Sequence, residues 1–335
     1  MKAASGFASG PHPDKELAAA AVRMALAAAG LERAERVLLL LSRAFNRQAT
    51  PAVLAAAGAA GCLQVGGCTA SGLLTEAGWL IDQPAAAALV LGELPDAAAA
   101  AAAPLLSFSG QAALPYGWRD GPPRVGLLET DAAAWSQARP GGHDGVGIAL
   151  PGLVCDVLRA DGLRPVAALL PVDDCAAYDL RRVAGFSAID SLRRALPAAL
   201  RDAPPLHQIA VIAAANEPAI GILAANSDGS LTLAAPLAAG QPITWALRQP
   251  LAAEAEMRQL LAEAETPDFA LMFSCIGRGP LFYGSDDHDL IAFRQRFPAT
   301  PLLGAYGSGQ IAPAASGNRL FQNANLTLLY RRPHV

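Results

Sequence analysis

Hydrophobic and polar positions along the chain alternate between helical and strand-like blocks. Behind Asp14, a residue suited to N-capping, apolar residues recur at helical spacing as far as Ala29, and Arg36 to Leu41 (RVLLLL) follows as an apolar run of strand length. A polar loop, SRAFNRQATP, a short helix near Pro51 to Ala57, a strand at CLQV and the glycine-rich stretch Gly66 to Gly72 (GGCTASG) complete a first unit. Near the other end the order recurs. AEAEMRQLLAEAE sets Met257, Leu260 and Leu261 on one helical face, DFALMFSC reads as a strand, and Asp286 or Asp287 caps a helix carrying Leu290, Phe293 and Phe297. TPLLGAY and the glycine loop GAYGSGQ then mirror the first unit, with Ser42 matched to Ser274 and Gly66 to Gly304. This is an internal pseudo-repeat.

The middle of the chain is less periodic. LVLGELPDAAAAAAAPLLSF predicts a strand and an alanine-rich exposed loop, GFSAIDSLRRALPAAL a helix with arginines on its outer face, and DGSLTLAAPLAAGQPITWALRQP a β-meander. The expected fold class is α/β, with α+β as the variant, in two related lobes, each a mixed sheet flanked by helices. The expected division is an N-terminal helical extension at 1–33, a first domain at 34–183 and a second at 184–330, with the boundary near Ala184.

Composition narrows the function classes. The 335 residues are 53% hydrophobic and 16% charged, enough for two ordinary cores, and charged residues, prolines or glycines interrupt every apolar stretch before about 20 residues accumulate. No membrane span is expected. Pro11, Pro13, Asp14 and Lys15 fall where the apolar core of a secretory leader would lie, so a cytoplasmic location is expected. Five cysteines without a CxxC pair fit reduced thiols, and a net charge of −4 with scattered arginines argues against nucleic acid as a partner.

Candidate chemistry concentrates in FSCIGRGPLFYGSDDHD, Phe273 to Asp289. The consecutive Asp286, Asp287, His288 and Asp289 point in different directions on a turn or first helical turn, so capping is favoured over a metal site; no metal and no cofactor are expected. Cys275 ends a strand beside Arg278, which would favour a thiolate, with His288 as the local base; the competing reading is a small buried hydrophobe. Arg278 either grips a ligand carboxylate through two parallel hydrogen bonds or tethers its own loop to Asp286 or a carbonyl. In GAYGSGQIAP, Gly304, Gly307 and Gly309 permit close backbone approach, while Tyr306 and Gln310 either contact a ligand or satisfy buried backbone groups; the spacing does not make a dinucleotide fingerprint.

Together, ALMFSCIGRG, TPLLGAYGSGQIAP and NRLFQNANLTLLY, with the looser GGCTASGLLTEAG and the DGLRPVAALLPVDD to GFSAIDSLRRALP passage, resemble the FIST family, tandem N- and C-terminal domains of bacterial sensory proteins and some F-box proteins. The resemblance implies an intracellular signal-transduction domain that binds a small anionic or zwitterionic ligand, an amino acid or derivative among them. It places the ligand loops on Ser274, Cys275, Arg278 and Gly279 and on Gly304, Tyr306, Gly307 and Gly309. Gln310 stands where many members carry glutamate, which weakens the hold on a ligand ammonium group. The expected partners are the small molecule and a separate signalling output protein. The alternatives are an enzyme with Cys275 as nucleophile and a non-catalytic scaffold with a vestigial pocket.

Overall fold

The computed structural model describes residues 1–96 and 103–333, so most of the expected alanine-rich loop lies outside the described residues. Helices and strands are mixed throughout. The chain divides into two compact units. One comprises Met1–Ala160, Met257–Pro313 and Gly317–Val335, the other Asp161–Glu256 and Ala314–Ser316.

The first unit begins with β1 (Lys2–Ser9) and α1 (Lys15–Ala29). Residues 1–33, expected as a helical extension, thus also supply an edge strand, which pairs antiparallel with β6. Asp14 caps α1 by accepting from the Glu16 amide, and Gly30 closes it in the left-handed conformation. Contact between β1 and α1 is close enough that a Cβ on Gly6 would lie 2.1 Å from the Ala21 carbonyl oxygen.

Next come β2 (Arg36–Ser42), α2 (Ala49–Ala60), β3 (Val65–Ala70), the hairpin β4 (Gly72–Thr75) and β5 (Gly78–Ile81), and β6 (Ala85–Gly92). Strand β2 runs parallel to β3 and antiparallel to β6. Its leucines are buried on both faces, as a central strand with covered faces requires, and Leu39 and Leu41 contribute on the order of 1.5–3 kcal/mol each. The alanine faces of α1 and α2 complete that core.

A second copy of this plan follows: β7 (Leu105–Ser109), β8 (Arg124–Leu128), the hairpin β9 (Ala134–Ser136) and β10 (Arg139–Pro140), and β11 (Val146–Ile148). Strands β7 and β8 are parallel, and β11 lies antiparallel to β7. β12 (Val154–Ala160) closes this stretch.

The second unit holds β13 (Leu163–Pro165), β14 (Leu170–Ala176), β15 (Asp179–Val183), β16 (Phe186–Ser187), α3 (Ala188–Ala195), β17 (Ile209–Ile212), β18 (Ile220–Ala225), β19 (Leu231–Leu233) and β20 (Pro242–Arg248). Because β20 pairs with both β14 and β17, the strands β14–β15–β19–β18–β17–β20 close into a small antiparallel barrel. Trp245 fills its core and donates its indole N–H to Ser191 on α3. Ala184 lies inside this unit, between β15 and β16.

After α4 (Pro250–Glu263) comes the third copy: β21 (Phe269–Cys275), α5 (Pro280–Tyr283), α6 (His288–Arg296), β22 (Leu302–Gly307), the hairpin β23 (Gly309–Ala314) and β24 (Gly317–Phe321), and β25 (Asn325–Arg331). Again β21 is parallel to β22 and antiparallel to β25, and β12 covers the outer edge of β25.

The three copies exchange hairpins in a ring. β4 pairs with β22, β23 pairs with β8, and β9 pairs with β3. In each copy a glycine of the second strand sits against the first strand so closely that a Cβ would meet a carbonyl: Gly67 at 1.7 Å from Leu39, Gly126 at 2.0 Å from Ser107 and Gly304 at 2.2 Å from Met272. The repeat seen in sequence is therefore threefold. All three copies lie in one compact unit, and each completes its sheet with a hairpin from another copy.

Candidate functional site

The loop after β21 is built around two buried aspartates. Asp287 caps α6 by accepting from the Leu290 amide at 3.0 Å and also accepts from the Tyr306 hydroxyl. Burial, with the neighbouring Asp289 adding to it, pushes the Asp287 carboxyl up to about 6. Asp289 receives Arg278 in a fork, Nε to Oδ2 at 2.8 Å and Nη2 to Oδ1 at 3.1 Å, while Nη1 of Arg278 donates to the Ala160 carbonyl at 2.9 Å. Tyr283 donates to Asp289 at 2.8 Å, and burial raises its hydroxyl well above the usual tyrosine range.

Arg278 is 1% exposed. Its guanidinium is thus committed to the fold, tethering the loop to Asp289 rather than Asp286, and does not face a ligand. All nine residues expected to line a ligand cleft (Ser274, Cys275, Arg278, Gly279, Gly304, Tyr306, Gly307, Gly309 and Gln310) are brought together, and all nine are buried. Strand register sets Ser274 against Tyr306 and Cys275 against Gly307. The glycines admit protein groups: a Cβ at Gly279 would lie 2.7 Å from the Tyr306 ring, at Gly307 2.8 Å from Leu127, and at Gly309 2.7 Å from Leu320.

Gln310 bridges strands: it is satisfied with its amide nitrogen donating to the carbonyls of Ala324 and Phe321, both at 3.1 Å, and its oxygen accepting from the Cys275 amide at 2.9 Å. The Cys275 thiol lies 3.8 Å from Asn323 Oδ1, an acceptor and not a base. The His288 ring stacks on Tyr283 at 4.8 Å.

Polar side chains gather one residue beyond the second strands. Ser71 follows β3, Glu129 follows β8 and Ser308 follows β22, the same position in each of the three copies. They converge. Ser71 Oγ donates to Glu129 Oε1 at 2.7 Å, Ser308 Oγ donates to Oε2 at 2.8 Å, and Arg43, just past β2, donates to Oε1 at 3.1 Å. The Glu129 side chain is 4% exposed and that of Arg43 57%. The Glu129 charge adds to burial in raising the Cys68 thiol well above its ordinary value, which leaves that thiol unreactive.

Three donors occupy a carboxylate with about four lone-pair directions, so Glu129 keeps capacity for another donor while Arg43 offers further N–H groups outward. Without a histidine between carboxylate and hydroxyl, the arrangement suits recognition better than nucleophilic catalysis. Ser71 and Ser308 close the two glycine-rich stretches already noted in the sequence, each as Ser-Gly. Glu129 was missed because the middle copy went unrecognised, although VGLLET ends its second strand as GGCTAS and GAYGS end theirs.

Fold and site together define a mixed α and β protein with polar groups converging at the carboxyl ends of parallel strand pairs. Residues 184–313 match the FIST C domain, a match that spans less than half of the chain. A segment of 106 residues is 30% identical to an uncharacterised protein of Mycobacterium tuberculosis strain H37Rv, covering 30% of this chain and 28% of that protein. An uncharacterised protein of Mycobacterium bovis is 31% identical over the same length, with the same shares. Human F-box only protein 22 is 37% identical over 79 residues, covering 22% of this chain and 19% of its own length. Each alignment thus spans less than a third of the relative. Among the described residues no helix is long and apolar enough to cross a membrane.

Proposed function

We propose that this protein is the sensing component of a signal-transduction system and binds a small anionic or zwitterionic molecule, of the amino-acid class, beside the Arg43–Glu129 pair. The convergence of Ser71, Glu129 and Ser308 from three copies of one motif carries this reading. Ligands of open sheets with parallel strands bind outside the carboxyl ends of the strands. Arg43 takes the anionic group there, Glu129 the ammonium group of a zwitterion, and the serine hydroxyls hold the carboxylate in place. Occupancy is passed to a separate output protein.

A thermal-shift screen of amino acids and their derivatives tests the proposal. A ligand at 100 times its dissociation constant adds about 2.7 kcal/mol to stability. Arg43→Ala should weaken that ligand by roughly 10-fold or more, since a hydrogen bond to a charged group contributes about 1.5–3 kcal/mol. An unchanged affinity in Arg43→Ala, or a screen without a stabilising compound, refutes it.

A further inference from the structure

Helix α2 exposes a face without charge. From Gln48 to Thr75 the sequence carries no acidic or basic residue, whereas α1, α3, α4 and α6 each expose charged side chains. Ala52, Val53, Ala56 and Ala60 bury the inner side of α2, and Pro51, Leu54 and Gly58 recur at helical spacing on the outer side, where all three are exposed. Leu54 is 54% exposed, and Leu63, just past the helix, extends the apolar run at 67%. Nothing within the fold requires Gly58. It lies inside the helix without a left-handed φ, and a Cβ there would meet nothing within 4 Å. Glycine is the weakest helix former apart from proline, so its solvent-facing place in mid-helix is unfavourable unless another surface comes close.

We propose that α2 packs antiparallel against α2 of a second copy of this chain, forming a two-fold dimer in which each Leu54 sits over Gly58 of the partner subunit. The face is self-complementary. With the two-fold axis level with Ala56, Leu54 falls opposite Gly58 and Pro51 opposite Gly61, so a single register sets each larger side chain against a glycine and lets the helix axes approach to about 8 Å. Charge selects the same occupant and orientation. Each chain carries a net charge of −4, and an uncharged face lets two such copies meet without like charges in contact, whereas an acidic or basic partner would find no counter-charge along α2. Exposed Arg47 stands just before α2, and the last turn holds no basic residue, so an antiparallel crossing brings Arg47 toward the negative end of the other helix, while a parallel one would set arginine against arginine. A helix of 12 residues is about 18 Å long, which places the contact among small, reversible interfaces. This dimer uses neither Arg43 nor Glu129 and stands or falls independently of the proposed ligand site.

Sedimentation velocity of the full chain between about 1 and 200 µM, the range in which small reversible interfaces associate, tests the proposal. The protein should pass from monomer to dimer across it. Leu54→Gln should keep the wild-type melting temperature and need at least ~10-fold more protein to dimerise. Gly58→Gln puts a better helix former in place of glycine, so it should raise the melting temperature of the monomer and yet weaken dimerisation by at least ~10-fold. A purely structural role for Gly58 would not move the two in opposite directions. Leu251→Gln, at a position 82% exposed on α4, should dimerise like the wild type. A chain that stays monomeric at the highest concentration, which would leave the face to a different protein, or a dimer that Leu54→Gln and Gly58→Gln do not weaken, would overturn the proposal.

Discussion

Arg278→Ala removes the side chain that meets both oxygens of Asp289 in a fork. In the wild type the two side chains are 1% and 0% exposed, so the pair has no solvent to fall back on. After truncation Asp289 keeps the Tyr283 hydroxyl, the Ala160 carbonyl loses the Nη1 donor, and Asp287 adds like-charge repulsion from the same turn. Removing one member of a buried pair costs about 3–5 kcal/mol, a third or more of the roughly 5–15 kcal/mol that holds an ordinary domain. Arg278→Lys should also destabilise, because an ammonium cannot serve both Asp289 oxygens and the Ala160 carbonyl in the same plane. The pair Arg278→Met with Asp289→Leu should recover most of the loss, since it leaves neither a buried charge nor a large void. Urea unfolding followed by the fluorescence of the first unit and by circular dichroism measures each change. A loss below about 1 kcal/mol for Arg278→Ala, or a double variant no better than the single, would refute the structural role of Arg278 and return it to the ligand.

Asp287, with its carboxyl raised to about 6 in the fold against 3.8 in the unfolded chain, makes its best contribution below pH 3.8 and loses it as pH rises to 6. Asp287→Asn keeps the helix cap, so it should gain up to about 3 kcal/mol over the wild type between pH 4 and 7; a difference that stays flat with pH refutes the assignment. Glu129→Gln should weaken a zwitterionic ligand more than a purely anionic one, read by comparing an amino acid with its deaminated analogue in the same thermal-shift assay. Gln137 and Ala138 form the β9–β10 turn with φ of 53° and 55°, so Gln137→Asn should stabilise the unit by about 0.5–1 kcal/mol in urea unfolding. Thiol labelling at neutral pH should find Cys275, 6% exposed, no faster than the half-buried Cys62; preferential labelling of Cys275 would revive the nucleophile reading.

What the sequence disclosed depended on how local the determining physics was. Strands β2 and β21 announce themselves because they are central, so their residues are apolar on both faces, and Asp287 follows the ordinary chemistry of a helix start. The middle copy stayed hidden because only a short helical turn at Tyr116–Trp118 joins its parallel strands, and LLSFS and RVGLL are too short to show a period. Hairpin exchange leaves no local trace either: β4 reads as the continuation of its own copy, yet its partner β22 lies more than 200 residues further on. For Arg278 the sequence held both readings open, and what decides between them is Ala160, 118 residues away, whose carbonyl fixes the third nitrogen inside the core.

The same logic explains why the proposed ligand groups lie just after the glycine loops and not within them. In a ring of three copies, the second strand of each is crowded by its first strand and by a foreign hairpin, so its glycines are consumed by packing, as the close approaches at Gly67, Gly126 and Gly304 show. The next residue out is the first released from that crowding, and three such positions must face one another. Two are serines and one is glutamate. Had all three been serines, the centre would lack an ionic acceptor; had all been glutamates, like charges would repel. A single carboxylate held by two hydroxyls is stable and keeps its charge for the proposed ligand, so substitution at Ser71 or Ser308 should loosen Glu129 and broaden ligand choice before it abolishes binding.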